Sequence, residues 1–578
     1  MNARPDILAR ARHVRFCLAT AFGAALSGLM CLCLVGCHWF PSRPTTVEMR
    51  LGSVERALTP RGALTSVSPP ATVTLITLNV ARGQREEVAP FWIDVVGSCN
   101  GLLWYDRTND LTEQLAHLHN RLGVKELRFH NILSLVPEPA DGKYDFSKVD
   151  RVYDAVRSAG VRPLVEVSFM PPWLASGAKT TFQYRANVTM PRDAGRWRDL
   201  VAAFARHLEE RYGAAEVRTW RFEIWNEPDH PGFWDQSQGD WVKWWGDYLN
   251  LYVLSAKALR GVDPALRVGG PATATSGGGG VVQWFLEHLP ADAPLDFVSS
   301  HLYGGGRADR RDPSKGYRFR SLTSLRERLT DEHNLTSKRH LPLVITEWNI
   351  TASPRDGIHD EPLAAAFVLG FIQAARGRCD AVAYWAYTDL FAELGIPTSE
   401  FSGGFGLLSL RGIEKPVFKA FEMLNLTGGG QWVMPDEGDA APALASWDEE
   451  NRRLVVVFWN WPYDAGGVTT EAPAQPREVR IRLDGLPRGR WAAELLRMDA
   501  THANSYAAWR DMGSPPIPAP EQMDQLKSAA QLAPEPFDSP LSVGAATTLA
   551  WRPRLQPGDC YALVLRGRNH TTGLKDRR

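Results

Sequence analysis

The sequence lacks both an excess of charge and a cysteine framework. Its 65 Lys+Arg residues balance its 65 Asp+Glu residues, so the formal net charge is zero. With no long basic run or RNA-type aromatic motif, a nucleic-acid partner has no support. Most of the seven cysteines lie within residues 16–37, and only Cys99, Cys379 and Cys560 are scattered over the rest of the chain. No zinc-type spacing is present, so neither a disulfide framework nor a metal site is predicted.

Phosphate-binding motifs are also missing. The densest glycine run, residues 277–280, is not followed by the Lys-Ser/Thr of a P-loop or by the acidic residue of a dinucleotide site. An oxidoreductase that uses a dinucleotide therefore has no support, and no organic cofactor is predicted.

The N-terminus has the pattern of an export signal. Four arginines precede an apolar stretch at residues 16–37, which is typical of a secretory signal. The stretch ends in "LVGC", which resembles the lipobox of bacterial lipoproteins, and this resemblance implies lipidation at Cys37. Because His38 rather than Asp follows, it also implies the periplasmic face of the outer membrane of a Gram-negative cell. An uncleaved membrane helix is the alternative.

The length of 578 residues, with 44% hydrophobic residues, indicates a large domain and an accessory one. Residues 38–70 are proline-rich and predict a tether, and residues 569–578 form a polar tail. Residues 429–568 contain short strand patterns divided by turns, which predict a β-sandwich. A strand within residues 71–89 is expected to join it.

Residues 90–428 alternate between short apolar runs and amphipathic segments. The predicted strands are 91–96, 126–130, 162–169, 219–225, 266–270, 296–301, 342–348 and 381–387. Among the predicted helices are 111–123, 145–160, 196–213 and 362–377, each closed by a glycine, and Asp193 is a candidate cap of the third. Eight such pairs predict an α/β fold of the (β/α)8 TIM-barrel type.

A barrel places its active site at the carboxyl ends of the strands, where two glutamates stand out. Glu227, in "RFEIWNEPDH", follows the fourth predicted strand, and Glu347, in "LVITEWN", closes the seventh. Two facing carboxyl groups are what glycoside hydrolysis requires. Glu223 is interpreted as a solvated or salt-bridged rim residue. Tryptophans 225, 348 and 385 are predicted to offer faces on which sugar rings stack.

The motifs "WNEPD" and "ITEWN" resemble the acid/base and nucleophile motifs of glycoside hydrolase family 39, which contains bacterial β-xylosidases and, more distantly, α-L-iduronidase. Supporting segments are "LRFHNI", "FMPPW", "SSHLYG", "YWAYTDLFAELG" and "GGFGLL", with "THANSYAAWRDMGSPPIPAPEQ" beyond the barrel. The resemblance implies that Glu227 is the general acid/base and Glu347 the nucleophile. It implies further sugar-binding positions at His130, Phe169, Asn226, His301, Tyr303, Trp385 and Glu393.

The same resemblance favours a neutral sugar and a β-xylosidase-like exo-hydrolysis of xylo-oligosaccharides by double displacement. Leu302 and Tyr303 stand where iduronidases carry basic residues. Ala392 and Ser402 depart from the xylosidase pattern, so an arabinosidase, a galactosidase or an endo-acting hydrolase of a bacterial polysaccharide stays open. A polysaccharide-binding lipoprotein is the non-enzymatic alternative, although binding alone requires neither Glu227 nor Glu347.

Overall fold

The computed structural model describes residues 72–82, 86–237, 239–274, 278–308, 316–463, 475–537, 540–544 and 546–567. All of them belong to one compact unit, Ser68–Arg578. The predicted signal with Cys37, the predicted tether and the predicted polar tail lie outside the described residues. Within the described ranges, no helix combines the length and the apolar character needed to cross a membrane.

Eight parallel strands form a closed barrel, as predicted. In chain order these barrel strands, called first to eighth below, are Val95–Asn100, Glu126–His130, Arg162–Val167, Arg221–Ile224, Arg267–Thr273, Phe297–His301, Leu343–Trp348 and Ala381–Tyr384. The ring closes where Ala383 of the eighth strand pairs with Val95 of the first. The strands are buried along nearly their whole length because helices cover the barrel from outside.

The helices that follow the strands surround the barrel. They are Gly101–Asp106, Thr108–Leu122, Ser147–Ser158, Ala194–Tyr212, Ala214–Val217, Trp241–Val262, Gly278–His288, Leu322–Ser337, Pro362–Ala375 and Pro416–Asn425. Helix Thr108–Leu122 buries leucines at three- and four-residue spacing and ends at Gly123, whose φ of 79° is left-handed. Asp193 caps Ala194–Tyr212 by accepting the Arg196 N–H at 3.0 Å, as predicted.

The first barrel strand differs from its prediction. The sequence favoured residues 91–96, but the strand runs over Val95–Asn100 and contains Gly97 and Ser98, which are poor strand formers. Tertiary packing overrides propensity here. A Cβ on Gly97 would come within 2.2 Å of the Trp385 ring, so only glycine allows this tryptophan to lie against the strand.

Two further sheets form the accessory sandwich. The larger contains Gln431–Val433, Ala443–Asp448, Arg453–Trp459, Cys560–Gly567, Gly489–Met498, Pro534–Pro536 and Leu541–Val543; the smaller contains Thr72–Asn79, Arg477–Asp484, Ala546–Thr548 and Arg554–Leu555. Strand Thr72–Asn79 runs parallel to Arg477–Asp484 along its full length. The segment that precedes the barrel therefore lies in the sandwich, and its Ile76 and Leu78 are fully buried there.

Two helices, Ser505–Asp511 and Pro520–Ala529, are inserted between strands of the larger sheet. The first lies within the segment "THANSYAAWRDMGSPPIPAPEQ", and the second begins at its end. Leu526 of the second helix packs with Phe401 and Ile413 from the loop after the eighth barrel strand. The accessory region therefore supports a loop on the barrel.

Candidate active site

The barrel brings Glu227 and Glu347 to one rim. Glu227 follows the fourth strand, Glu347 lies in the seventh, and His301 ends the sixth. One carboxylate oxygen of each glutamate and one ring nitrogen of His301 all lie within 4.8 Å of one another. His301 Nδ1 is 2.9 Å from Glu227 Oε1 and 3.6 Å from Glu347 Oε2. Residues 120 positions apart in the sequence thus face each other across a few ångströms.

The turn after the fourth strand aims Glu227 into the barrel mouth. Trp225 and Glu227 have positive φ angles of 70° and 41°, which are unusual for residues with a Cβ. Two hydrogen bonds hold the turn: Trp225 Nε1 donates to the Phe233 carbonyl, and the Glu227 N–H donates to the Ala272 carbonyl, both at 2.9 Å. Backbone strain of this kind is typical of functional sites, where the surrounding structure fixes one side-chain direction.

A buried arginine stands at the centre of the site. Arg128, on the second strand, has no solvent exposure. Its Nη1 donates to Glu347 Oε1 at 2.7 Å, its Nε to Glu223 Oε2 at 2.6 Å, and its Nη2 to Asn226 Oδ1 at 2.8 Å. Glu166 Oε2 also lies 2.8 Å from Nη2. The motif "LRFHNI" contains Arg128, but the sequence predicts no role for it, because the strand Glu126–His130 also carries two other polar residues.

Glu223 is not the solvated rim residue that the sequence suggested, although it is salt-bridged. It is fully buried inside the barrel, where Thr346 Oγ1 donates to its Oε1 at 2.8 Å and Arg128 holds the other oxygen. Glu166 was missed entirely. It lies 2.8 Å from His130 Nδ1 and thereby fixes the orientation of that ring.

The cleft above the two carboxylates measures about 980 Å³. Six of the predicted site residues line it: Glu227, Glu347, His130, Tyr303, Trp385 and Glu393. The Tyr303 hydroxyl donates to Glu347 Oε2 at 2.8 Å, and His130 Nε2 lies 3.7 Å from Glu347 Oε1. The Trp385 ring packs 4.8 Å from the His130 ring, centroid to centroid. Of the three tryptophans predicted to stack on sugar, Trp385 is the one on the cleft wall.

The other aromatic predictions fall elsewhere. Trp348 stacks on Phe371 in the core, and Trp225 packs against Phe169, so neither offers a face to the cleft. Phe169 itself is fully buried behind the His130 ring. Asn226 is buried with its Oδ1 held by Arg128, and no described residue accepts a hydrogen bond from its Nδ2. Its amide therefore has a donor left for a hydroxyl group.

The two carboxyl groups have different electrostatic surroundings. Burial raises the pKa of Glu227 far above its usual range, and the negative charge of Glu347 raises it further. Burial also raises the pKa of Glu347, but Arg128, His130 and the Tyr303 hydroxyl oppose the rise. Of the two, Glu227 therefore keeps a proton to higher pH. Burial lowers the pKa of His301, so its ring is neutral.

Glu227, His301 and Glu347 also bring three potential metal-ligand atoms together. Their neighbours disfavour a cation, because the Arg128 guanidinium lies 2.7 Å from one Glu347 oxygen and the Tyr303 hydroxyl donates to the other. Lone pairs that a metal would need are already engaged by donors. The arrangement suits proton transfer and nucleophilic attack.

Comparisons with known proteins agree with this geometry. Residues 74–540 match the model of glycosyl hydrolases family 39. A β-xylosidase of Caldicellulosiruptor saccharolyticus is 34% identical over 474 residues, covering 80% of this chain and 92% of that protein. The human α-L-iduronidase is 26% identical over 480 residues, covering 75% and 69%. The crystal structure of a monomeric β-xylosidase from Caulobacter crescentus CB15 superposes with a TM-score of 0.73 at 31% identity, covering 86% of this chain and all of that one. The chain belongs to glycosyl hydrolases family 39.

Proposed function

We propose that the protein is a retaining exo-glycosidase that removes a terminal neutral sugar, with xylose at the end of a xylo-oligosaccharide as the first candidate. The observation that carries the proposal is the short distance between the two glutamates: a carboxylate oxygen of Glu227 lies within 4.8 Å of one of Glu347. Carboxyl groups about 5 Å apart leave no room for a water between them and the sugar, so one of them attacks the sugar directly.

In the first step a Glu347 oxygen attacks the anomeric carbon, and the bond from that carbon to the leaving oxygen breaks. The Glu227 proton passes to the leaving oxygen, and the sugar remains as an ester on Glu347. Arg128 and Tyr303 each donate to Glu347, which favours the ionised form of the resting nucleophile against burial and fixes its direction.

In the second step water replaces the departed group. Once Glu347 is an ester its negative charge is gone, so the pKa of Glu227 falls and its carboxylate accepts a proton from the water. The water oxygen attacks the anomeric carbon and breaks the ester bond. Two inversions restore the original configuration, and Glu227 is again protonated. Asn226 Nδ2, which has no described acceptor, is placed to donate to a sugar hydroxyl.

Support for xylose comes from the β-xylosidases that this chain resembles. A neutral sugar also suits the inner end of the cleft, where Glu227, Glu347 and Glu393 line the wall and the nearby cation Arg128 is already engaged by three carboxylates. A carboxylate on the sugar in that position would have no unengaged guanidinium group of the described residues to pair with.

The experiment uses protein lacking residues 1–37 and a panel of chromogenic β-xyloside, α-L-arabinoside, β-galactoside, β-glucoside and α-L-iduronide. Release from one neutral glycoside, abolished in Glu347→Ala, supports the proposal and identifies the sugar. Azide added to Glu227→Ala should restore turnover and give a glycosyl azide of retained configuration, because azide replaces water in the second step. No release from any substrate of the panel, together with polysaccharide binding that Glu347→Ala leaves unchanged, would contradict the exo-glycosidase proposal.

We propose further that the chain is exported and anchored by lipid on Cys37, at the periplasmic face of the outer membrane. The support is the "LVGC" sequence, which lies outside the described residues. In a Gram-negative host the full chain should fractionate with outer membranes and incorporate labelled palmitate, and Cys37→Ser should lose the label. A label that survives this substitution contradicts the lipobox.

A further inference from the structure

A short hairpin forms the outer wall of the cleft. It follows the sixth strand and pairs Gly305–Arg307 with Tyr317–Phe319 in antiparallel register. The backbone N–H of Arg320 donates to the Gly304 carbonyl at 2.7 Å, which fixes the hairpin next to Tyr303. Three arginines of this segment, Arg307, Arg318 and Arg320, line the same cleft as the two catalytic glutamates. We call these three residues the arginine wall.

The positive charge of the arginine wall is only partly balanced. Arg307 Nη2 lies 3.1 Å from Asp356 Oδ1 and is neutralised by it. Within the described ranges, neither Arg318 nor Arg320 forms an ion pair with a carboxylate, and both are exposed. Burial of part of its side chain lowers the pKa of Arg320, and the positive charge of Arg328 lowers it further.

Arg328 itself is paired, because its Nε lies 2.9 Å from Glu332 Oε1. Arg318 and Arg320 therefore present two guanidinium groups to the cleft, and no carboxylate of the described residues pairs with either. An anion that contacts both would balance their charge through charge-assisted hydrogen bonds. Guanidinium groups bind carboxylates through two parallel N–H donors, so a sugar carboxylate is a fitting ligand.

Position along the cleft decides which sugar would carry that carboxylate. The inner end, at the buried His130 and Trp385, receives the terminal sugar, whereas Arg318 and Arg320 of the arginine wall are exposed at the cleft mouth. We propose that the arginine wall is a subsite for a uronic acid on the leaving-group side, so that the enzyme prefers acidic oligosaccharides whose terminal sugar is neutral. This inference rests on the proposed exo-glycosidase function for its orientation.

The first test compares two substrates of equal chain length. One is a neutral xylo-oligosaccharide; the other carries a single glucuronic acid on the sugar that follows the terminal xylose. We expect kcat/KM to be about fivefold higher for the acidic substrate at low ionic strength, and this preference should shrink in 1 M salt. The double variant Arg318→Gln/Arg320→Gln should lose the preference. The matched control Arg488→Gln/Arg490→Gln removes the same charge from exposed sandwich positions and should keep it.

Binding provides a second measurement that does not depend on turnover. Calorimetric titration of Glu347→Gln with the same two oligosaccharides should give about fivefold tighter binding of the acidic one, and adding Arg318→Gln/Arg320→Gln should abolish the difference. Equal kcat/KM and equal affinity for the two oligosaccharides would overturn the arginine-wall subsite but leave the proposed exo-glycosidase function unaffected. Selective binding of the acidic sugar without any hydrolysis would instead retain the subsite and reject the proposed function.

Discussion

Arg128 holds the carboxylates of Glu166, Glu223 and Glu347 inside the barrel without any contact with solvent. Its charge lowers the pKa of Glu347 against the effect of burial. Because the nucleophile must be ionised, Arg128→Gln should move the acidic limb of the pH profile of kcat/KM to higher pH. It should also lower the free energy of unfolding by about 3–5 kcal/mol, since three buried carboxylates lose their cation.

A companion variant keeps this prediction testable if Arg128→Gln fails to fold. Tyr303→Phe removes only the hydroxyl that donates to Glu347, so the acidic limb should move in the same direction by less, with little change in unfolding by urea. The control is Arg326→Gln, which breaks the ion pair with Asp439 away from the site. It should change neither the acidic limb nor the unfolding by urea. An acidic limb that stays in place in both test variants contradicts the assigned role of the two donors.

Glu227 owes its raised pKa to burial first and to the charge of Glu347 second. Glu347→Gln removes the second cause and leaves the first, so the pKa of Glu227 should fall. In the unmodified enzyme the proton on Glu227 is lost as pH rises through the raised pKa, and the basic limb of activity should follow it. Carbon-13 NMR titration of labelled glutamate measures the pKa directly. A value that does not change in Glu347→Gln would show that the two carboxyls do not interact.

The two glutamates were predictable because each stands where a strand ends, and barrels place their chemistry there. The roles of Arg128 and Glu166 could not be predicted, because nothing in a short strand shows whether a charged side chain faces the barrel axis or solvent. Arg128 and its partner Glu347 are 219 residues apart in the sequence. The same ambiguity explains Trp225 and Trp348, since a tryptophan next to a catalytic motif serves the core as readily as the cleft.

The barrel strands were predictable from their apolar runs, and seven of the eight lie close to their predicted positions. The exception, Val95–Asn100, has a composition that strand propensity disfavours, and its packing partner Trp385 follows the eighth strand and is therefore distant in the sequence. Helix ends were well marked, because Asp193 and Gly123 act through local hydrogen bonds and backbone angles that the sequence alone determines. The position of the first strand could not be predicted because it depends on packing between residues that are far apart in the sequence.

The packing of strand Thr72–Asn79 in the sandwich can be tested by mutation. Leu78 is fully buried between the sheets, whereas Leu75 of the same strand is 46% exposed. Leu78→Ala should therefore lower the free energy of unfolding by about 2–4 kcal/mol, and Leu75→Ala should change it by less than about 0.5 kcal/mol. Urea unfolding of the two variants measures both. An equal loss of unfolding free energy in the two variants would mean that the strand does not pack in the sandwich as described.

The apolar core around the barrel extends onto one face of the larger sandwich sheet, and a second cluster fills the space between the two sheets. Trp461, from the sandwich, packs 5.4 Å from Phe367 of a barrel helix and 5.2 Å from Phe319 of the cleft hairpin, centroid to centroid. Gln373 Nε2, on the same barrel helix, donates to the carbonyls of Ala441 and Ala443 at 2.8 and 3.2 Å. The sandwich therefore supports the outer wall of the cleft, and we expect the described chain to unfold as one cooperative unit.

Loss of activity on heating tests this coupling. Leu563 lies in the sandwich core, remote from the two catalytic glutamates, and has no exposure. If the two domains unfold together, Leu563→Ala should lower the temperature at which hydrolysis is lost by roughly 3–6 °C, and intrinsic tryptophan fluorescence should shift by the same amount. If the barrel were independent, Leu563→Ala would leave thermal inactivation unchanged and would split the calorimetric transition in two. Coincident shifts would mean that stability of the active site depends on a core that contributes no residue to its chemistry.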